Sequence, residues 1–176
     1  MIKQIVYNVV LGTMALSSAA IATSVTNPAC TPAPSNVSNN TNQVAANSMD
    51  TAALEQSIFN QINNYRVSQG LPALTRNSAI DNQVRLHSKN MGNGTVSFGH
   101  SGFSERLNAT GVSYRSAAEN VAYNQGYSDP ATKAVQGWLK SPGHLTNIRG
   151  NYNLTGIGVA KNSQGAIYFT QIFIRS

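Results

Sequence analysis

The chain has 176 residues, only 10% of them charged, with 12 Lys and Arg against 6 Asp and Glu for a net charge of +6. That length gives one domain with room for a hydrophobic core, and the basic residues are scattered, with no DNA- or RNA-reading motif, so nucleic acid is not the expected partner. The single cysteine, Cys30, forms no intramolecular disulfide, so the fold must rest on its core.

Residues 1–22 read as a secretory signal peptide: Lys3 charges the start, Ile5 to Leu16 is mostly apolar, and Ala20-Ile21-Ala22 is a small-x-small cleavage site. The apolar run is interrupted by Asn8 and Gly12 and falls short of the roughly 20 residues of a spanning helix, so no stable membrane span is expected. The implied location is secreted or at the cell surface. Residues 23–49 are Ser, Thr, Asn, Pro and Ala with almost no large apolar side chains, which reads as a flexible tether. The folded domain is expected over 50–176.

Within it, Asp50-Thr51 offers an N-cap before Leu54, Ile58, Ile62 and Tyr65 on one helical face, ended by Gly70 and Pro72. A second helix is predicted from about Ser78 to Met91, with Ile80, Val84, His87 and Met91 on its inner stripe, and a third over Phe103 to Thr110. Asp129-Pro130 starts a fourth, with Ala131, Ala134, Val135 and Trp138 facing inward, and Ser141-Pro142 starts a short fifth that carries His144 in its first turn. Leu154 to Ala160 and Ala166 to Ile174 then read as two strands of a hairpin. In the second, Ile167, Phe169 and Phe173 point to one face and Tyr168, Ile172 and Ile174 to the other, so helices must cover both sides of the sheet. The expected fold class is α+β, a three-layer α/β/α sandwich around a small, mainly antiparallel sheet.

No zinc-protease, nucleophile-elbow or phosphate-loop motif is present, and Cys30 lies in the tether without a neighbouring His. The polar candidates are His87, His100, Glu105, Glu119 and His144, of which His87 reads as a core histidine.

An ordered series runs through the domain: Asn63-Asn64-Tyr65-Arg66, Gly70-Leu71-Pro72, Phe98-Gly99-His100, Glu105-Arg106-Leu107, Ala118-Glu119-Asn120-Val121, Trp138 to His144, Gly156-Ile157-Gly158-Val159 and Tyr168-Phe169-Thr170-Gln171. From Leu54 to the C-terminus the chain resembles the CAP superfamily (cysteine-rich secretory proteins, antigen 5 and plant pathogenesis-related 1, also called SCP domains), in its cysteine-poor bacterial branch. The resemblance implies an α/β/α sandwich, extracellular work, and a cleft of two His and two acidic residues that in some members binds a divalent cation. His100 matches the first histidine and Glu119 the glutamate of that cleft. The other two positions depart: where many members have Trp-x-x-Glu this chain has Trp138-Leu139-Lys140-Ser141, and Tyr168 stands at the second histidine.

The resemblance therefore implies a cleft of His100, Glu119, His144, Glu105 and Tyr168, with His144 supplying an imidazole from a different element. His100, His144 and Glu119 would suit Zn²⁺ with one open position, and would equally form a hydrogen-bonded structural network. No nucleophile or oxyanion donor is readable, so an enzyme is the weaker expectation. The leading function is a binding module for an extracellular lipid, glycan or protein; the alternatives are a metal-dependent hydrolase using the same cleft and a structural envelope protein.

Overall fold

The structure, a computed structural model, describes residues 50–176 in full and the backbone of Gln4–Val9. The expected tether and the remainder of the expected signal peptide lie outside the described residues. The elements are β1 (Gln4–Val9), α1 (Thr51–Ser68), β2 (Thr75–Arg76), α2 (Ser78–Gly92), α3 (Phe103–Ala109), β3 (Ser116–Asn124), α4 (Pro130–Lys140), α5 (Pro142–Arg149), β4 (Leu154–Lys161) and β5 (Ile167–Arg175).

The helix starts follow from capping chemistry. Asp50 accepts a hydrogen bond from the Ala52 amide, Asn77 from Ala79 and Ile80, and Asp129 from Thr132 just before Pro130, which needs no amide partner there. The strands form one sheet in the order β1-β3-β5-β4-β2. Its long pairings, β3 with β5 and β4 with β5, are antiparallel; the outer pairings of β1 with β3 and β2 with β4 are parallel. The stretch Gln4–Val9, inside the expected signal peptide, is thus placed as a strand beside β3, with Gln4 opposite Ser116.

Both faces of the sheet are covered, as the two-sided apolar pattern of β5 requires. On one side Ile58 and Ile62 of α1, Ala131, Val135 and Trp138 of α4 and Ile148 of α5 pack on Ile157, Val159, Phe169 and Phe173. On the other, Ile80 and Val84 of α2 and Phe103 and Leu107 of α3 pack on Ala117, Ile172 and Ile174. The architecture is the expected three-layer sandwich.

Two residues of the Asn63-Asn64-Tyr65-Arg66 stretch tie loops together. Asn63 holds Leu74 through both its amide and carbonyl, and buried Arg66 donates to the carbonyls of Pro72, Ile148, Gly150 and Tyr152. Burial lowers the Arg66 pKa, and carbonyl oxygens rather than a carboxylate solvate its guanidinium.

The layer holding α2 is set by β4. A Cβ at Gly156 would sit 2.4 Å from an Ile80 methyl and 2.6 Å from the Asp81 amide nitrogen, and one at Gly158 would sit 2.2 Å from the Arg85 amide nitrogen. At these two positions β4 therefore puts no side chain of its own between itself and the helix backbone. Gly158→Ala is expected to push α2 outward and to cost about 1–3 kcal/mol or more, read as a lowered midpoint in urea denaturation.

Candidate functional site

The site is built on the face of the sheet covered by α2 and α3. Strand alternation sends Glu119 to that face and its neighbour Asn120 to the opposite one. Glu119 is fully buried. Such a carboxylate needs partners, and two arrive from the segment around α3. Arg106 places Nη2 2.8 Å from Oε1 and 2.7 Å from Oε2, with Nε 3.2 Å from Oε2. The Nδ1–H of His100 donates to Oε1 at 2.9 Å.

The route to this geometry is local. Arg106 lies three residues after Phe103 and one before Leu107, so it shares the inward stripe of α3. Its Nη1 also donates to the Ser101 carbonyl at 2.6 Å. That return contact needs Gly102, which takes a left-handed φ of 75° and whose Cβ, if present, would press within 3.4 Å of Arg106 Nη1. His100 is steadied from behind: buried His87 donates its Nε2–H to the Gly99 carbonyl at 2.8 Å. Burial, and then the neighbouring Arg106 charge, lower the His87 pKa although the bond to Gly99 acts to raise it, and a neutral ring with its proton on Nε2 still makes that bond. His87 is the core histidine that its helical stripe predicts.

The other expected site residues lie elsewhere. Glu105 is exposed on the outer side of α3, and its neighbour Arg106 faces the site in its stead. Tyr168 lies on the same face as Glu119 but further along the sheet, opposite Tyr123 in the β3–β5 register. The two rings stack at 5.6 Å with 21° between planes, and Phe98 meets Tyr123 edge-on at 5.0 Å. All three aromatic residues are half-buried.

His144 does not join His100. It is fully buried in the first turn of α5, on the face to which Asn120 points, with Nδ1 2.7 Å from Ser141 Oγ at the helix start. Its carbonyl accepts from Asn120 Nδ2 at 3.3 Å, and Asn147 donates to Asn120 Oδ1 at 2.8 Å and to the Glu119 carbonyl at 3.2 Å. The Glu-Asn pair thus serves both layers, Glu119 binding the α3 segment and Asn120 binding α5. The sheet separates the two imidazoles that the family resemblance implies in one cleft.

This arrangement does not fit the divalent cation that the family resemblance implies. Among the described residues no three His, Cys, Asp or Glu side chains are grouped to hold a metal ion, and a guanidinium already contacts both oxygens of Glu119. Arg106 supplies the positive charge that the buried carboxylate needs.

Residues 59–173 match the family model described as cysteine-rich secretory protein family, CAP. The chain belongs to the CAP family. It is 31% identical over 139 residues to the uncharacterized protein YkwD of Bacillus subtilis and 34% identical over 127 residues to the uncharacterized membrane protein YlbC of the same organism. Those matches take in 76% and 69% of this chain but 52% and 34% of the relatives, so the chain spans about half of one and a third of the other. Among solved structures, an extracellular SCP-domain protein of Bacillus anthracis superposes with a TM-score of 0.63 at 29% identity, over 72% of this chain and 41% of that one. An outer surface protein of Borrelia burgdorferi, at 17% identity and a TM-score of 0.62 over 72% of this chain and 96% of its own, shares the fold.

For this CAP domain the buried pair can be tested by a double-mutant cycle. Arg106→Met leaves a buried carboxylate with only the His100 N–H beside it and is expected to cost about 3–5 kcal/mol, while Arg106→Met/Glu119→Gln recovers a large part of that loss in urea denaturation. His87 gives a pH signature. With a folded pKa below the unfolded value of 6.5, the unfolded chain takes up the proton first. The stability contribution is therefore full above about pH 6.5 and falls as the pH drops towards the folded pKa. Thermal midpoints across the acidic range should fall less steeply for His87→Gln than for the parent, whatever the variant's stability at pH 7.

Proposed function

We propose that this CAP domain is an exported, extracytoplasmic binding module of bacterial origin, delivered by the signal peptide at 1–22 and held out on the tether at 23–49. Its ligand is an extracellular lipid, glycan or protein, met on the face that carries His100, Glu119 and Tyr168. The observation behind this reading is the contrast within that face: both Glu119 oxygens are already engaged by Arg106 and His100, while Phe98, Tyr123 and Tyr168 are only half-buried. General-base or metal chemistry at Glu119 would first have to break the bonds that bury it. The aromatic trio instead suits a ligand with an apolar face, such as a sugar ring or an acyl chain.

The test uses the full chain mixed separately with isolated bacterial cell-wall sacculi and with phospholipid vesicles. Co-sedimentation with one of them is expected, without release of soluble fragments, and Tyr123→Ala/Tyr168→Ala should remain in the supernatant with an unchanged circular dichroism spectrum. Fragment release that His100→Ala abolishes would establish a hydrolase in place of a binding module. A calorimetric Zn²⁺ isotherm absent from a His100→Ala/His144→Ala control would restore the metal reading. Failure to sediment with either material, joined to a lower thermal midpoint in His100→Ala, would leave a purely structural envelope role.

A further inference from the structure

A second site lies away from the His100 and Glu119 centre, where α2 passes the first turn of α1 and the end of β4. A groove of about 420 Å³ opens there, with Glu55, Arg85, Lys89 and Lys161 among its lining residues. Its charge is unbalanced. Glu55 is the one acid in the lining, and it is 2% exposed and fully committed: Arg76 reaches Oε2 at 2.6 Å, Arg85 reaches both oxygens at 2.9 and 2.6 Å, and the Val159 amide donates to Oε1 at 3.3 Å. The next acid on these elements, Asp81, is likewise committed to Arg76 and to the Ile157 amide. Lys89 and Lys161 are exposed and face no carboxylate among the described residues. Arg85 keeps 46% of its side chain in solvent even while it holds Glu55.

We propose that this groove binds a phosphate group carried on a polyol or sugar, with Lys89, Lys161 and the exposed side of Arg85 on the anion and the carbon body against Ala52, Val159 and Ala160. Two ammonium groups and a guanidinium spread along one groove are matched better by a phosphate, with its several oxygens and higher charge, than by a single carboxylate. The Thr51 hydroxyl and the Asn93 amide add neutral partners for the body's hydroxyl groups. Glu55 serves the site from below: it anchors Arg85 and the edge of β4 while its own charge is cancelled, so it does not repel an anion. The volume is several times that of a bare phosphate, which argues for an organic ligand.

The probes are sn-glycerol 3-phosphate, inorganic phosphate and phosphatidylglycerol vesicles, each added to the full chain at low salt. Glycerol 3-phosphate is expected to shift the amide resonances of Lys89, Asn93, Ala160 and Lys161 saturably, and to bind more tightly than inorganic phosphate. Lys89→Gln/Lys161→Gln should weaken it by at least about tenfold with an unchanged thermal midpoint, and Lys89→Arg/Lys161→Arg should retain it. Absence of a saturable shift at the groove, equal affinity in the Gln variant, or inorganic phosphate binding as tightly as the ester would overturn the proposal. Vesicle binding without glycerol 3-phosphate binding would assign the lysines to a membrane surface and overturn it as well.

Discussion

A carboxylate with no exposed surface is tolerable inside a protein only when neighbouring groups replace the water it has lost. At Glu119 that replacement comes from Arg106 and His100, both delivered by the segment that enters and forms α3. The dependence runs both ways. α3 is a seven-residue helix with no side-chain cap at its start, too short to be stable alone, so its docking relies on Phe103, Leu107 and the guanidinium that reaches the strand. One buried charge pair therefore closes one layer of the sandwich, and the loop bearing His100 is held between that pair and the His87 bond to Gly99.

The next residue in the strand plays the same part with neutral groups. Asn120 turns the other way and joins the His144 carbonyl and Asn147, so α5 is fastened by amides where α3 is fastened by charge. In a domain without disulfides these two consecutive side chains link three layers through one strand. Arg66 and Asn63 act similarly at the far end of α1, each saturating loop backbone that would otherwise be buried without partners.

Much of this is legible in the chain. Helix starts are marked by Asp50, Asp129-Pro130 and Ser141-Pro142, and the two faces of β5 follow from its alternation. β3 does not read as a strand, because Ser116-Ala117-Ala118-Glu119-Asn120 is small and polar where strands usually show branched and aromatic residues; its six-residue buried run is dictated by the layers on either side. Arg106 is hidden by its neighbour, since a Glu-Arg pair on a short helix reads as two solvated charges. The spacing of Phe103, Arg106 and Leu107 is the available signal, as it puts the arginine on the apolar stripe. His144 falls in the helical turn that its sequence indicates, yet position in a helix says nothing about which side of a sheet that helix covers; connectivity in space decides it.

The bare backbone of β4 at Gly156 and Gly158, against which α2 lies, has a metric consequence. Where side chains separate two elements, rotamer changes let them slide; at Gly156 and Gly158 the two backbones interlock, and α2 becomes a ruler laid against the strand. Arg85 and Lys89 stand on one margin of that ruler, and His87, between them in sequence, faces inward to the loop of His100. The interval between the basic groove and the His100 face is thus calibrated by two missing methyl groups, and any ligand large enough to touch both would have its length chosen by them.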